Sequence, residues 1–435
     1  MVALPTIRPV AAGPAAEAVG NWPLLATITV LFAVSGGMLW LAGINYDGLT
    51  GGSAAKIHPS TYLTLLVFGG TVLASGNLVR FLADVARRRP ASALLFCTSL
   101  VFFLDVVLRK APGMAGVLDT FVPSALLALL LARTGRADIR RIEIAIHVVM
   151  ALNALLALGE FATDFRLFPY RFEGAVFETD LRSSALQGHP LANASLTAWY
   201  VLALLGGGGT ALAGPWRRLA MIGLQCLALV AFGGRSAMVV TVVLGGGWLA
   251  IAGARTLMRG RVPLFGAALT VLLATLIPTA IAALALSGFF DALLDRFVAD
   301  GGSAEARVLM FDIFGYLSLG DLLLGPDPDY VDSVRRMAGL EWGIENPIVR
   351  TAVYHGLLIA LMQTVAVALY VRELARVSRR GTLLPMLGFA ILILTAETLG
   401  GKTTLLAKFA VLILCLFSPL TAQPMPSRRA SRRAF

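Results

Sequence analysis

The chain has 435 residues and a formal net charge of +11, with 57% apolar and only 14% charged residues. A soluble domain carries roughly 25% charged residues, so this composition, with a mean hydropathy of +0.80, excludes an ordinary soluble domain and predicts a polytopic membrane protein. The basic residues lie in short clusters between apolar runs, which is a pattern of membrane topology and does not indicate nucleic acid as a partner.

Membrane-spanning helices need about 20 mostly apolar residues, and about twelve stretches of the chain are candidates. They lie near 22–43, 60–82, 91–108, 117–132, 142–160, 191–213, 219–233, 236–253, 262–287, 347–371, 382–400 and 403–421. The sequence therefore predicts an all-α integral membrane protein. Its single domain, 1–435, is expected to be a polytopic bundle of about twelve transmembrane helices.

Arginine clusters between these stretches predict the orientation. The clusters are Arg87 to Arg89, Arg133 to Arg141, Arg217 and Arg218, Arg255 to Arg261, Arg372 to Arg380, and Arg428 to Arg433. Twelve helices with both termini cytoplasmic put every cluster on the cytoplasmic side, as the positive-inside rule requires. The segment 422–435 is then a basic cytoplasmic tail.

The same topology leaves three polar segments facing outward. They are 161–190, the tight turn 233–235 and the long loop 289–346, and we expect them to converge on one face. Within the long loop, residues 304–319 have an apolar face at helical spacing, with Ser303 as a candidate N-cap. This spacing predicts an amphipathic helix along the membrane surface, ended by the turn 325–329.

Ionisable residues inside apolar stretches are costly and therefore informative. Asp105 and Asp119 flank the short turn with Arg109 and Lys110, which favours local pairing. Glu397 and Lys408 lie deeper, on neighbouring helices, and are interpreted as a structural ion pair, with a proton path as the alternative. The four histidines lack the spacing of metal ligands, so neither a metal site nor a cofactor is expected.

Four arginines are predicted to lie at the outer face, where a helix begins or in the loop above. They are Arg182, Arg235, Arg307 and Arg350. The planar guanidinium group suits phosphate oxygens, so several together favour an anionic substrate such as a lipid-linked pyrophosphate. The alternative for each one singly is an interfacial anchor.

Several short motifs are similar to those of one membrane-protein superfamily. The run RSSALQGHPLANA (182–194) resembles the G-H-P-N-x-x-A stretch, and GRSA (234–237) resembles the Ser-Arg-Ser-Ala turn, of the O-antigen ligase and Wzy-type polysaccharide polymerase superfamily. EAR (305–307) followed by LGP (324–326) is similar to its R…p-l-G-x-G segment. The ligase signature H-[NSQ]-x9-G is matched from Asn346 to Gly356, but Glu345 stands where ligases carry histidine.

This resemblance covers roughly residues 140 to 370. It implies a GT-C-like helical membrane bundle in the bacterial inner membrane, with a periplasmic loop over 289–346. The implied activity is metal-independent glycosyl transfer from an undecaprenyl-diphosphate-linked oligosaccharide. Because Glu345 replaces the histidine, an exopolysaccharide or O-antigen polymerase is favoured over a ligase. A chain-length regulator and membrane lipid are further implied partners.

Roles for individual residues follow from this interpretation. Glu345 is the candidate general base, with a solvated or N-capping carboxylate as the alternative. Arg235 is the first candidate to stabilise the leaving pyrophosphate. The candidate substrate-binding residues are Arg182, His189, Arg307, Asn346 and Arg350. Transfer of finished polymer to another acceptor, and a transporter or flippase of lipid-linked sugars, remain alternative functions.

Overall fold

The computed structural model describes residues 21–48, 53–111, 113–172, 174–177, 182–212, 214–260, 264–286, 288, 308–340, 343–395 and 399–419. Within these ranges the chain is mostly helical. Its strands are two residues each, with β1 (Arg171–Phe172) antiparallel to β2 (Ala175–Val176) in a small ribbon.

The helices of the first half run from the N-terminus to the turn at residue 233. They are α1 (Trp22–Ala33), α2 (Gly36–Leu41), α3 (Pro59–Ala74), α4 (Leu78–Arg88), α5 (Pro90–Leu108), α6 (Met114–Thr120), α7 (Val122–Leu131), α8 (Arg136–Thr163), α9 (Pro190–Leu205) and α10 (Pro215–Phe232). Short 3-10 turns occur at Ser53–Lys56 and Ala185–Gln187.

The described helices of the second half follow this turn. They are α11 (Arg235–Val240), continued through a π-turn (Thr241–Gly245) into α12 (Gly246–Met258), then α13 (Leu264–Leu286), α14 (Leu319–Leu324), α15 (Pro328–Met337), α16 (Pro347–Val377), α17 (Leu383–Ile393) and α18 (Leu405–Leu416). A further 3-10 turn occurs at Asp312–Tyr316.

Five helices of the described chain are long and apolar enough to cross a membrane, or six if α3 and α4 are one bent span. They are α5, α6 with α7, α8, α11 through α12, and α16; α1, α9, α17 and α18 are shorter apolar helices. These lengths and compositions are compatible with a multi-pass membrane protein.

The first two predicted spans are each divided into two helices. The stretch 60–82 is α3 and α4, which differ in direction by 119°. Gly76 between them has φ 69°, and the Asn77 side chain caps α4 by accepting the Arg80 N–H at 2.8 Å. The stretch 22–43 is likewise divided into α1 and α2, because Ser35 caps a new helix.

The core of the bundle is built around α18, whose twelve residues are all buried. Phe409 on α18 stacks on Phe389 of α17 with ring centroids 4.0 Å apart. The Trp199 ring of α9 meets the Phe409 ring edge to face at 5.3 Å. A helix enclosed on all sides by other helices can be apolar all round, and α18 is apolar except for Lys408.

Basic residues gather at one end of the bundle, which we call the basic end. Arg379 donates to the Leu416 carbonyl at 3.2 Å, and Arg218 donates to the Gly209 carbonyl at 3.2 Å. The Gly209 N–H in turn donates to Leu416 O at 3.0 Å. The same end holds Arg133 paired with Asp84, Arg141 paired with Asp138, and Glu373 bonded to the first turn of α5. Four of the clusters that predicted one orientation, those at 87–89, 133–141, 217–218 and 372–380, are thus spatial neighbours.

The opposite end, which we call the loop end, is formed by residues 35–48, 53–58, 164–172, 174–177, 182–189, 233–235, 343–350 and 399–404. The described part of the long loop, 308–340, lies there on α16. Its residues Ile313, Val331 and Val334 form a small apolar cluster with Val353 and Tyr354 of α16. The loop is therefore anchored to the bundle by a core of its own.

The predicted helix 304–319 is not continuous in its described part. The chain forms a 3-10 turn at Asp312–Tyr316, becomes extended at Leu317 and starts α14 at Leu319, where Ser318 caps the helix by accepting the Asp321 N–H. The predicted turn at 325–329 is present only in part: residues 325–327 leave the helix, with Gly325 at φ 90°, but Pro328 and Asp329 already belong to α15. Residues 289–307 and the predicted tail 422–435 lie outside the described residues.

Candidate functional site at the loop end

The motif RSSALQGHPLANA enters the bundle as irregular backbone before α9. The N–H groups of Ser184 and Ala185 each donate to one carboxylate oxygen of Glu160 at 2.9 Å. The Leu186 N–H donates to Asn153 Oδ1 at 3.0 Å. Buried N–H groups outside a helix need such partners because water does not reach them. Side chains of α8 therefore hold this motif in one conformation.

The centre of the motif is strained and deeply enclosed. Ala185 is fully buried and has φ 38°, a left-handed conformation that is costly for a residue with a side chain. Gly188 has φ 64°, and a Cβ there would meet the Ser35 side chain at 3.1 Å. Such strain persists only where the surroundings impose it, and it is concentrated at functional sites.

Gln187 joins the motif to the centre of the bundle. Lys408 on α18 donates to Gln187 Oε1, and Gln187 Nε2 donates to the Phe32 carbonyl at 2.8 Å. The described partner of Lys408 is therefore an amide. Its predicted ion-pair partner, Glu397, lies outside the described residues.

The turn before α11 docks on this motif. A Cβ at Gly234 would lie 2.4 Å from Ala194 Cβ, so only glycine permits this approach. The Ser183 N–H donates to the Ala231 carbonyl at 3.2 Å. Arg182 precedes Ser183, and Arg235 is the first residue of α11, so the two half-buried arginines lie at the same corner of the bundle. The structure brings together two motifs far apart in the sequence.

His189 and Asn346 both cap helices that begin with proline. His189 Nδ1 accepts the Leu191 N–H at 3.1 Å at the start of α9. Asn346 Oδ1 accepts the Ile348 N–H at 2.9 Å at the start of α16. The ring of Tyr170 meets the His189 ring edge to face at 4.5 Å. Capping explains both residue types, and their predicted substrate contacts stay predictions.

Glu345 and Arg350 lie at the same helix start as Asn346. Glu345, the residue before the cap, is half-buried. Arg350 packs along Gly400, where a Cβ would meet its Cδ at 3.0 Å, and its guanidinium carbon is 5.8 Å from the Tyr354 ring centre. The Tyr354 hydroxyl donates to Asp332 Oδ1 at 2.5 Å, which ties α15 to this helix.

Gly356 interrupts α16 further along the helix. Its φ of 81° and ψ of 162° are not helical, and a Cβ there would lie 2.5 Å from Leu323 O and from Gly325 N. The end of α14 occupies this break. The glycine of the signature that begins at Asn346 therefore has a structural reason, which is the close approach of the long loop.

The predicted pairing of Asp105 with Arg109 is confirmed at 3.7 Å, and His355 Nδ1 lies 3.1 Å from the same carboxylate. Arg109 also donates to the carbonyls of Tyr354 and Pro326. This arginine therefore joins α5, α16 and the long loop.

The predicted pairing of Asp119 with the 109–110 turn is wrong. Asp119 instead accepts the Thr61 hydroxyl at 2.7 Å, the Tyr46 hydroxyl at 2.9 Å and the His58 N–H at 3.0 Å. Burial makes these donors necessary, because an unsolvated carboxylate is costly unless it accepts hydrogen bonds. The interaction fixes the start of α3 to α6.

A group of charged residues at the loop end was not predicted from the sequence. Lys402 Nζ lies 3.5 Å from the Tyr46 ring centre and 3.9 Å from Asp47 Oδ1. Burial raises the pKa of the Asp47 carboxyl, against the opposing effect of Lys402, Arg171 and Lys56. Burial also lowers the pKa of Lys402. Desolvation thus exceeds attraction for this pair.

Arg171 and Lys56 fasten the same loop. The Arg171 guanidinium lies 3.8 Å above the Trp40 ring, and Lys56 donates to the Asn45 carbonyl at 2.9 Å. The contacts of residues 35–47 reach Gly188 on one side and Lys402 on the other. This segment therefore connects the 182–194 motif to the residues beside Arg350. Sequence reasoning offered no signal for this connection.

Arg307 lies outside the described residues. Among the residues that the structure describes, no three His, Cys, Asp or Glu side chains form a group that could hold a metal ion. Comparison with protein-family models and with curated proteins gives no match for this chain. The functional interpretation therefore rests on the residues and their geometry.

Proposed function

We propose that this protein is a polysaccharide polymerase of exopolysaccharide or O-antigen biosynthesis. It is a metal-independent glycosyltransferase that joins undecaprenyl-diphosphate-linked glycan repeat units at the periplasmic face of the bacterial inner membrane. The observation that carries this proposal is the docking of GRSA (234–237) on RSSALQGHPLANA (182–194), with Gly234 against Ala194.

This docking supports binding of a lipid diphosphate. Arg182 and Arg235 come from two elements that are each fixed by buried contacts, which limits reorganisation when the substrate binds. Fixed guanidinium groups stabilise the negative charge that develops on a leaving diphosphate. Their corner lies at the end of the bundle away from the basic clusters, where an amphiphilic donor could bind with its lipid beside the helices.

In the proposed reaction, a hydroxyl oxygen of the acceptor sugar attacks the anomeric carbon of the donor. The bond from that carbon to the diphosphate oxygen breaks, and undecaprenyl diphosphate leaves with the electron pair. Glu345 accepts the hydroxyl proton, as a carboxylate within hydrogen-bond reach can. Arg235 and Arg182 bind the leaving diphosphate, while His189, Asn346, Arg307 and Arg350 orient the sugar and phosphate groups.

The proposed topology has twelve spans in a GT-C-like bundle, with both termini cytoplasmic. Two observations support it. Each of the twelve apolar stretches contains at least one helix, and contacts join Arg218 and Arg379 at the end opposite to Arg235. A positive cytoplasmic side is the usual arrangement in membrane proteins.

The test measures polymer length formed by purified protein in detergent from an undecaprenyl-diphosphate-linked repeat unit. Arg235→Gln is expected to lower the rate about 100-fold, the usual loss of one fixed donor to a developing anion. Glu345→Gln should also slow transfer. Arg235→Lys keeps the positive charge but not the planar guanidinium group, so its rate should lie between those of wild type and Arg235→Gln. Arg380→Gln, an exposed charge at the basic end, is the matched control. Unchanged polymerisation in both Arg235→Gln and Glu345→Gln would remove the assigned roles.

The same assay separates the alternative functions. A ligase passes preformed polymer to a second acceptor and leaves repeat units unjoined. A transporter or flippase changes no covalent bond in detergent, but moves the lipid-linked sugar across the bilayer of a vesicle. Either result would replace the polymerase proposal.

A further inference from the structure

The helix α4 differs from its neighbours in direction and in the arrangement of its side chains. It turns away from α3 by 119° and is followed directly by α5, which is long and apolar enough to cross a membrane. Its sequence is LVRFLADVARR. A helix that lies across the end of a span, in a membrane protein, lies close to the plane of the membrane surface.

The apolar side chains of α4 cover a wider arc than the bundle does. At 100° per residue, Phe81, Val85, Leu78, Leu82 and Val79 occupy one continuous apolar face. Only Phe81 and Val85 are buried, against α7. Leu78, Val79 and Leu82 continue that face but are 54%, 77% and 41% exposed. No described part of the protein covers these three residues.

The opposite face carries the charges, Arg80, Asp84, Arg87 and Arg88. Asp84 pairs with Arg88 at 3.1 Å and with Arg133 at 2.8 Å. The exposed side chains of Arg80 and Arg87 form no hydrogen bond or ion pair with any residue in the described ranges. The surface therefore presents two guanidinium groups without a partner among the described residues. The carboxylate beside them, Asp84, is already paired with Arg88 and Arg133.

We propose that α4 is an interfacial helix that binds anionic phospholipid headgroups. Leu78, Val79 and Leu82 lie among the acyl chains, and Arg80 and Arg87 bind the phosphate oxygens of lipids such as phosphatidylglycerol. A strongly amphipathic helix with arginines on its polar face is the type that lies in the membrane interface. Anionic headgroups supply the negatively charged partners that Arg80 and Arg87 lack among the described residues. This inference is independent of the proposed enzymatic activity.

The first experiment measures the depth of α4 in the wild-type arrangement. Single cysteines at Val79 and Arg87, in full-length protein with Cys97 and Cys226 replaced by serine, carry a nitroxide label in vesicles containing phosphatidylglycerol. We expect the label at Val79 to be relaxed mainly by dissolved oxygen, and the label at Arg87 mainly by a water-soluble nickel complex. Greater nickel accessibility at Val79 would overturn the proposal.

The second experiment measures the association of spin-labelled phosphatidylglycerol relative to spin-labelled phosphatidylcholine. The double variant Arg80→Gln, Arg87→Gln should lower this preference at least about threefold, since each basic group near an anionic surface contributes measurably. Arg80→Lys with Arg87→Lys should retain it, which excludes misfolding as the cause. The charge-matched control at the loop end is Lys110→Gln with Arg336→Gln.

The other outcomes of the second experiment would contradict a headgroup-binding site on α4. An equal loss in the control variant would assign the preference to overall charge. Displacement of the labelled lipid by millimolar glycerol phosphate would indicate a soluble phosphate ligand rather than a membrane surface. An unchanged preference in the glutamine variant would remove the headgroup site.

Discussion

Gly356 is the residue at which the long loop and the bundle fit together. Its φ of 81° is unfavourable for any side chain, and a Cβ would approach Leu323 O and Gly325 N at 2.5 Å, well inside contact distance. These neighbours are backbone atoms and cannot rotate away. The position therefore combines conformational strain with overpacking.

Gly356→Ala is expected to lower the free energy of unfolding by about 2–4 kcal/mol. Thermal unfolding of the detergent-solubilised protein measures the effect. Gly159→Ala in α8 is the matched control, because a Cβ there meets nothing within 4 Å, and it should be neutral or stabilising by up to about 1 kcal/mol. Equal melting temperatures for Gly356→Ala and wild type would show that the loop does not depend on this break.

His58 is a buried neutral histidine just before α3. Its Nδ1 accepts the Ser60 N–H at 3.2 Å, which requires the unprotonated nitrogen. Burial, with the nearby positive charge of Lys408, lowers its pKa from 6.5 to about 3. The unfolded chain therefore binds a proton at this residue more readily than the folded protein does. Its contribution to stability is present above pH 6.5 and is lost as the pH falls towards 3.

The prediction is a loss of up to about 1.4 kcal/mol per pH unit below pH 6.5 in wild type. His58→Asn keeps a side-chain acceptor for the Ser60 N–H but does not titrate, so its unfolding free energy should fall less over the same range. Melting temperatures of both proteins between pH 7 and pH 5 measure the difference. Parallel curves would mean that another group causes the acid sensitivity.

At the scale of elements, hydropathy located the helices but not their breaks. Each of the twelve apolar stretches contains a helix, because burial in a bundle or in lipid requires that composition. The bend within 60–82 could have been read from Ser75-Gly76-Asn77, a helix stop followed by a cap. The helix predicted at 304–319 is replaced in its described part by a 3-10 turn at Asp312–Tyr316, and Ser318 caps a new helix that begins at Leu319.

The helices α14 and α15 are held to the bundle largely through Arg109. This arginine donates to the carbonyls of Pro326 and Tyr354, and is oriented by Asp105. Hydrogen bonds to a charged group contribute about 1.5–3 kcal/mol. Without them the long loop keeps its small apolar cluster and the Tyr354–Asp332 hydrogen bond.

Arg109→Met retains much of the apolar stem and removes these bonds. Amide hydrogen exchange within 319–337 is expected to quicken about tenfold or more, while exchange in α18 should stay slow because that helix is buried throughout. Lys110→Met, the exposed neighbour, is the control. If exchange quickened equally in both variants, Arg109 would have no special part in anchoring the loop.

At the scale of the whole molecule, the candidate site was only partly readable from the sequence. The caps at His189 and Asn346 follow from local rules, since proline favours the first helical position. The docking of Gly234 on Ala194 and the hydrogen bonds from the 182–194 motif to Glu160 depend on contacts between distant parts of the chain. A single sequence carries no signal for such pairs.

The separation of a basic end from a loop end makes a final prediction about the whole molecule. The described basic clusters at 87–89, 133–141, 217–218 and 372–380 are neighbours, and Lys110 and Arg336 belong to the end that carries Arg109 and the long loop. If positive charge marks the cytoplasmic side, cysteines at these two groups of positions face different compartments.

In protein with Cys97 and Cys226 replaced by serine, Lys110→Cys and Arg336→Cys should react with a membrane-impermeant maleimide added to intact spheroplasts. Arg88→Cys and Arg255→Cys should react only after lysis. All four side chains are exposed in the folded protein, so burial does not account for a missing reaction. Labelling of both groups from the same side would contradict the topology, and with it a periplasmic position for Arg235. The reverse pattern would put the arginine corner in the cytoplasm, where a polymerase acting on exported repeat units could not use it.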